Sequence, residues 1–135
     1  MVTMSAAYDG NLRCTLTHEP SGSTLRTDAP KDNMGEGALF SPTDLVGAAL
    51  ASCVLTTMAI VARRDGVELD GARAEVSKEM TSVPTRRIGA LPVRVTLPAR
   101  LPADYRAKLE NVARACPVHK SLHPDVKIEL LFVYA

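Results

Sequence analysis

Tryptophan is absent from this chain, and aromatic residues together make up only 4% of its 135 positions. That leaves little with which to stack unpaired bases. An excess of one charge is missing as well. The formal net charge is +1, with Lys and Arg scattered rather than clustered, so neither nucleic acid nor an anionic membrane is expected as a partner. The three cysteines are an odd number. The opening residues, Met1 to Asp9, carry neither a charged n-region nor an apolar h-region. A disulfide framework is therefore not expected, and a reducing cytoplasm is the expected setting. No repeat, linker or low-complexity segment interrupts the chain. With 46% hydrophobic and 23% charged residues, residues 1–135 read as one globular domain, large enough to bury about two-thirds of its unfolded surface.

What the chain does have is a long uncharged run, Leu45 to Ala62, bounded by Asp44 and Arg63. Its length is at the lower limit for a membrane span. But the run is rich in Ala, Gly, Ser and Thr and has no flanking aromatic belt, so it reads as a core helix. Burying every side of such a helix in a small domain is easier if a second subunit covers one face, which predicts an obligate oligomer. The start is marked by Ser41 as N-cap, Pro42 in the first helical position and Asp44 three residues after the cap. Gly66 supplies the stop. Leu45, Ala49, Cys53, Thr56, Thr57 and Ile60 share one side by helical spacing.

Alternation predicts a half-buried strand from Tyr8 to His18, with Leu12, Cys14 and Leu16 on one face. A turn at Pro20 to Ser23 returns the chain along Thr24 to Asp28. Pro30 to Gly37 reads as a polar loop. Two further strands are predicted over Ala72 to Met80 and Ile88 to Pro98, joined by a basic connection at Val83 to Arg87. An amphipathic helix follows over Ala103 to Ala115, its stripe ending at Cys116 and broken by Pro117. A last strand runs from Val126 to Tyr134. The fold class is α+β.

Cys53 lies in the uncharged run, and Cys116 follows 63 residues later in Cys-Pro-Val-His. No other nucleophile has so specific a setting. A thiol on a core helix, with a second thiol able to meet it, suits redox chemistry. Free cysteine is also a common core residue, and Cys14 reads as core. Cys116, His119 and His123 have spacing that could suggest zinc, but Pro117 and Pro124 disturb the helix such a site needs, so no metal is expected.

Phe40-Ser41-Pro42-Thr43-Asp44-Leu45, leading through Ala48 to Ser52 into Cys53, resembles the osmotically inducible protein C and organic hydroperoxide resistance family (OsmC/Ohr-like). Cys116-Pro117-Val118-His119 with Ser121-Leu122 resembles its second cysteine segment. Thr27-Asp28-Ala29-Pro30 and Cys116 through Pro124 look most like the general OsmC-like branch. The resemblance implies antiparallel sheets with a long buried central helix, in an intertwined homodimer. It implies a thiol peroxidase for organic hydroperoxides, recycled by a dithiol reductant without an organic cofactor or a metal. Cys53 would attack the peroxide and Cys116 would resolve the product as a disulfide.

Attack needs a thiolate, and a free thiol ionises only near pH ~8.5, so a cation is required nearby. In the family's peroxidases an arginine from the N-terminal sheet region serves, oriented by a glutamate ten residues before the cysteine. Here Thr43 holds that position, and Asp44 projects about 100° further around the helix. Arg13 is the favoured arginine, with Arg26 the other N-terminal one, and Glu36 is the carboxylate able to reach the site. The alternatives are a non-catalytic small-molecule binder, for which Thr43 speaks, and a redox-sensing protein with slow turnover.

Overall fold

Seven strands and three α-helices are arranged in the order β1 (Met4–Gly10), β2 (Arg13–His18), β3 (Ser23–Asp28), α1 (Pro42–Arg64), β4 (Arg73–Val76), β5 (Glu79–Thr81), β6 (Arg87–Leu97), α2 (Ala103–Arg114), α3 (Pro117–Ser121) and β7 (Lys127–Tyr134). The structure is a computed structural model that describes all residues, 1–135. It divides into two compact units, Met1–Val46 and Gly47–Ala135.

The first unit is a meander, β1-β2-β3, antiparallel throughout. The strand expected over Tyr8 to His18 is here two strands. The chain reverses at Asn11-Leu12, both with positive φ (55° and 62°), the sign pattern that lets a two-residue hairpin loop follow strand twist. Leu12 is therefore in the turn and not on the face of Cys14 and Leu16. Those two face Tyr8 and Ala6 on β1, and Thr27 and Leu25 on β3. Much of the sheet's apolar surface is open: Met4, Tyr8 and Leu25 are all exposed. After β3 come a single 3-10 turn at Lys31–Asn33 and a loop to Ser41.

In the second unit β6 is the central strand. β4 and β5 pair antiparallel with its two halves on one edge, and β7 pairs along the other. The strand expected over Ala72 to Met80 breaks at Ser77-Lys78. Ser77 N–H donates to the Pro92 carbonyl at 3.1 Å, but Pro92 has no N–H to return, and pairing stops there. The expected antiparallel pattern holds for every pair but β6–β7, which is parallel because α2 and α3 carry the chain back before β7 begins. Leu91, Val93, Val95 and Leu97 alternate along β6 and are buried, with Leu50, Val54, Met58 and Ala62 of α1 and Leu109 and Ala113 of α2 also in the core.

α1 begins as its capping residues require. Asp44 N–H donates to Ser41 Oγ at 3.1 Å, and Ser41 N–H donates to Asp44 Oδ2 at 2.9 Å. This is a complete capping box with Asp in place of Glu. By length and composition the helix could cross a membrane. In the fold one stripe of it is buried, from Gly47 through Leu50, Ala51, Val54 and Met58 to Ala62. The opposite stripe of Ala49, Ser52, Thr56, Ala59 and Ile60 is exposed yet uncharged. Within this chain the helix is thus buried on one side, not all round.

Candidate active site

Two cysteines of the second unit come together. Cys53 projects from the start of the fourth turn of α1, half-buried, with its Sγ 3.8 Å from Thr57 Oγ1 one helical turn on. Cys116 is fully buried. Both are free thiols, and Cys53 lies near enough to help raise the Cys116 thiol above its ordinary range. Cys116 does not simply end the amphipathic stripe of α2. It is the N-cap of α3, with Pro117 in the first helical position and Cys116 Sγ accepting the His119 N–H at 3.4 Å. Burial pushes the Cys116 thiol above the ordinary range. The His119 amide pulls the other way, and the Cys53 contact pushes it up again. Cys116 is thus held as the neutral thiol, while Cys53 is the more accessible of the pair.

His119 lies on α3, but His123 is beyond its end, in a turn where His123 Nδ1 accepts the Asp125 N–H at 3.1 Å. The helical face that zinc spacing would need is not formed.

In the first unit Arg13 meets both expected and unexpected partners. Its Nη2 is 3.0 Å from Glu36 Oε2, and its Nε is 3.6 Å from Asp28 Oδ1. Glu36 is 81% exposed, whereas Asp28 is 1% exposed. The second oxygen of Asp28 accepts the Ala38 N–H at 3.0 Å. The buried carboxylate therefore anchors both the arginine and the loop that carries Glu36. The fit at Nε is loose: that buried nitrogen makes no hydrogen bond. Sequence reasoning paired Arg13 with Glu36 and missed Asp28. A signal was available in Thr27-Asp28-Ala29-Pro30, where both Thr27 and Asp28 prove buried. Arg26, on the exposed part of β3, has no part in this cluster. Thr43, at the expected glutamate position, sits with its Oγ1 3.2 Å from Ser41 Oγ, in the helix cap.

The OsmC-like protein family matches residues 35–131, a span that includes both cysteines of the pair. This chain belongs to that family. Its fold is also that of solved relatives. A proposed osmotic stress induced and detoxification response protein from Psychrobacter arcticus 273-4 is 39% identical, with 98% of this chain and 96% of that one covered and a TM-score of 0.91. The organic hydroperoxide resistance protein OsmC from Legionella pneumophila is 17% identical over 98% and 96% of the two chains, with a TM-score of 0.79. The organic hydroperoxide resistance protein OhrB of Bacillus subtilis is 20% identical over 98% and 97%, with a TM-score of 0.68. The last two likenesses are of fold. No curated protein matches the sequence.

One cleft of this OsmC-like protein, about 590 Å³, contains neither cysteine. It lies against Thr56, Ala59, Ile60 and Arg63 on the exposed side of α1, and is closed by Gly66 to Asp70. Another, of about 420 Å³, begins at His119 and runs between α3 and the start of β7.

Proposed function

We propose that this OsmC-like protein is a thiol-dependent peroxidase that reduces organic hydroperoxides. The observation that carries this reading is the meeting of two free thiols from distant segments, one half-exposed and one sealed. In the first step the Cys53 thiolate attacks the terminal peroxide oxygen. The O–O bond breaks, the alcohol leaves with a proton, and Cys53 becomes a sulfenic acid. In the second step Cys116 sulfur attacks that sulfenic sulfur. The S–S bond forms, and hydroxide leaves as water with the thiol proton. A dithiol reductant then restores both thiols. Cys53 takes the first role because it is accessible. Cys116 takes the second because burial keeps it protonated until the sulfenic acid arrives.

Arg13 is the cation assigned to favour the thiolate and to polarise the peroxide. Glu36, on an exposed loop and held by one outer ion pair, orients it. Asp28 is the fixed anchor behind both. Two carboxylates around one guanidinium hold its direction at the cost of its net charge, which makes Arg13 a directional donor more than a free cation. The acting form is a homodimer in the cytoplasm. The uncharged outer stripe of α1 and the open apolar face of the first sheet support a covering second copy, since isolated surfaces of this kind favour association.

Steady-state peroxide consumption with a dithiol present tests the reading. Cys53→Ser should abolish turnover, and Cys116→Ser should allow one turnover followed by over-oxidation. Equal rates in wild type and Cys53→Ser would refute it. The 590 Å³ cleft without a cysteine favours the second reading, a small-molecule binder, which would consume no peroxide.

A further inference from the structure

The Cys116 thiol has a second occupation besides its neighbour Cys53: it caps a helix. α3 is five residues long, has no buried residue, and takes its N-terminal cap from Cys116 Sγ. That sulfur accepts the His119 N–H at 3.4 Å. The other hydrogen bonds of α3 are local: Lys120 N–H to the Cys116 carbonyl at 3.1 Å, and Ser121 Oγ to the Pro117 carbonyl at 2.8 Å. A helix this short has too few internal bonds to repay its own nucleation. Its stability therefore depends on the cap.

We propose that α3 is a redox-responsive element, in which bonding of Cys116 to Cys53 withdraws the sulfur cap and loosens the segment Pro117–Asp125. This rests on the reading that the two cysteines form a disulfide. Two thiols lose two hydrogens to a hydroperoxide, which leaves as alcohol and water, and one S–S bond forms. That bond is about 2.05 Å long, far shorter than a non-bonded approach, so Cys116 Sγ must turn toward α1 and away from the His119 amide. Disulfide sulfur is also a weaker acceptor than the thiol or thiolate it replaces. The His119 amide is left without its partner at a helix start.

The loosened segment includes His119, Leu122, His123 and Pro124 on the wall of the 420 Å³ cleft. In the reduced form Cys116 is sealed, whereas a reductant thiolate must reach one sulfur of the disulfide. Loosening α3 only in the oxidised form opens that path when it is needed.

Hydrogen exchange followed by mass spectrometry on the full chain tests this, comparing reduced protein with protein oxidised by tert-butyl hydroperoxide or by diamide. Intact mass reports disulfide formation separately, as the loss of two hydrogens. The amides of His119 and Lys120 should exchange about 2- to 30-fold faster once the disulfide forms, the span expected for loss of an N-cap. Tryptic cleavage after Lys120 should accelerate with them. Cys116→Ala should exchange fast in either state. Cys116→Ser should stay slow in both, since a hydroxyl caps and cannot be oxidised to the bond. A disulfide that forms without faster exchange at α3, or a Cys116→Ala chain with unchanged exchange, overturns the proposal and leaves the peroxidase reading standing. Failure of both oxidants to join Cys53 to Cys116 overturns the two together.

Discussion

Replacing Gly47 by alanine should make the protein more stable, by an amount the packing of α1 on its sheet determines. Gly47 is buried inside the helix that carries Cys53. A Cβ added there would lie 3.4 Å from Leu91 Cδ2 and 3.7 and 3.8 Å from the two methyls of Val76. Those are ordinary contact distances, so the methyl group fits without moving either neighbour. Helix propensity favours alanine over glycine by about 0.8–1 kcal/mol. Burial of the methyl adds up to about 0.8 kcal/mol, less whatever the near contact to Leu91 gives back. The sum is a gain of about 1–1.5 kcal/mol, or a rise in Tm of about 3–6 °C for a chain of this size. Urea denaturation followed by far-ultraviolet circular dichroism would show the midpoint moving up with the slope unchanged. Gly47→Leu has no such room and should lose about 1–3 kcal/mol through overpacking. If Gly47→Ala instead loses more than about 0.5 kcal/mol, beyond the scatter of harmless substitutions, α1 lies closer to β6 than described, and the account of how Cys53 is positioned fails with it.

Gly35→Ala should be as damaging as Gly47→Ala is helpful. Its Cβ would overlap the Ala29 carbonyl, so a melt should show clear destabilisation and the loop carrying Glu36 should become protease-sensitive. Asp28→Asn should cost about 1.5–3 kcal/mol, the range for a hydrogen bond to a charged group. Glu36→Gln should stay within the 0 to ~1 kcal/mol of an exposed ion pair; equal losses from the two would refute the anchor role of Asp28. Burial, aided by hydrogen bonds to Asp65 and Glu110, pushes the Tyr105 and Tyr134 hydroxyls up to about 12. Their folded values exceed the ordinary 10.0, so the stability they contribute is present below pH 10 and fades as pH rises toward 12. An ultraviolet titration in which neither tyrosine ionises late would contradict this, and Tyr105→Phe should remove one late step.

The start of α1 was legible because its signals are local. Ser41, Pro42 and Asp44 act within one turn, and the aspartate closes the capping box even though it is a carbon shorter than glutamate. The hairpin at Asn11-Leu12 was not, because alternation runs through a tight turn without a break, and leucine is a poor advertisement for positive φ. The interruption between β4 and β5 is caused by Pro92 on the partner strand, which no reading of residues 72–80 alone can reveal. The parallel pairing of β6 and β7 is a fact of topology, with no local residue to announce it. At the candidate site the cysteine pair could be named from sequence, but the cap on α3 depends on how Pro117 restarts a helix. Asp28 was overlooked for a related reason: its role as anchor of Arg13 follows from burial, which a polar residue in a TDAP segment does not display.

The distance along the chain between Cys53 and Cys116 has a consequence for the oxidised protein as a whole. A bond that closes a 63-residue separation removes far more freedom from the unfolded chain than from the folded one. The chain-entropy relation places that bias near 4 kcal/mol in favour of folding. The same event that frees five residues of α3 would therefore tighten the remainder against global unfolding. Heat resistance and local exchange should move in opposite directions on oxidation, so a melting curve alone would record the oxidised form as the stiffer molecule and miss the part that had come loose.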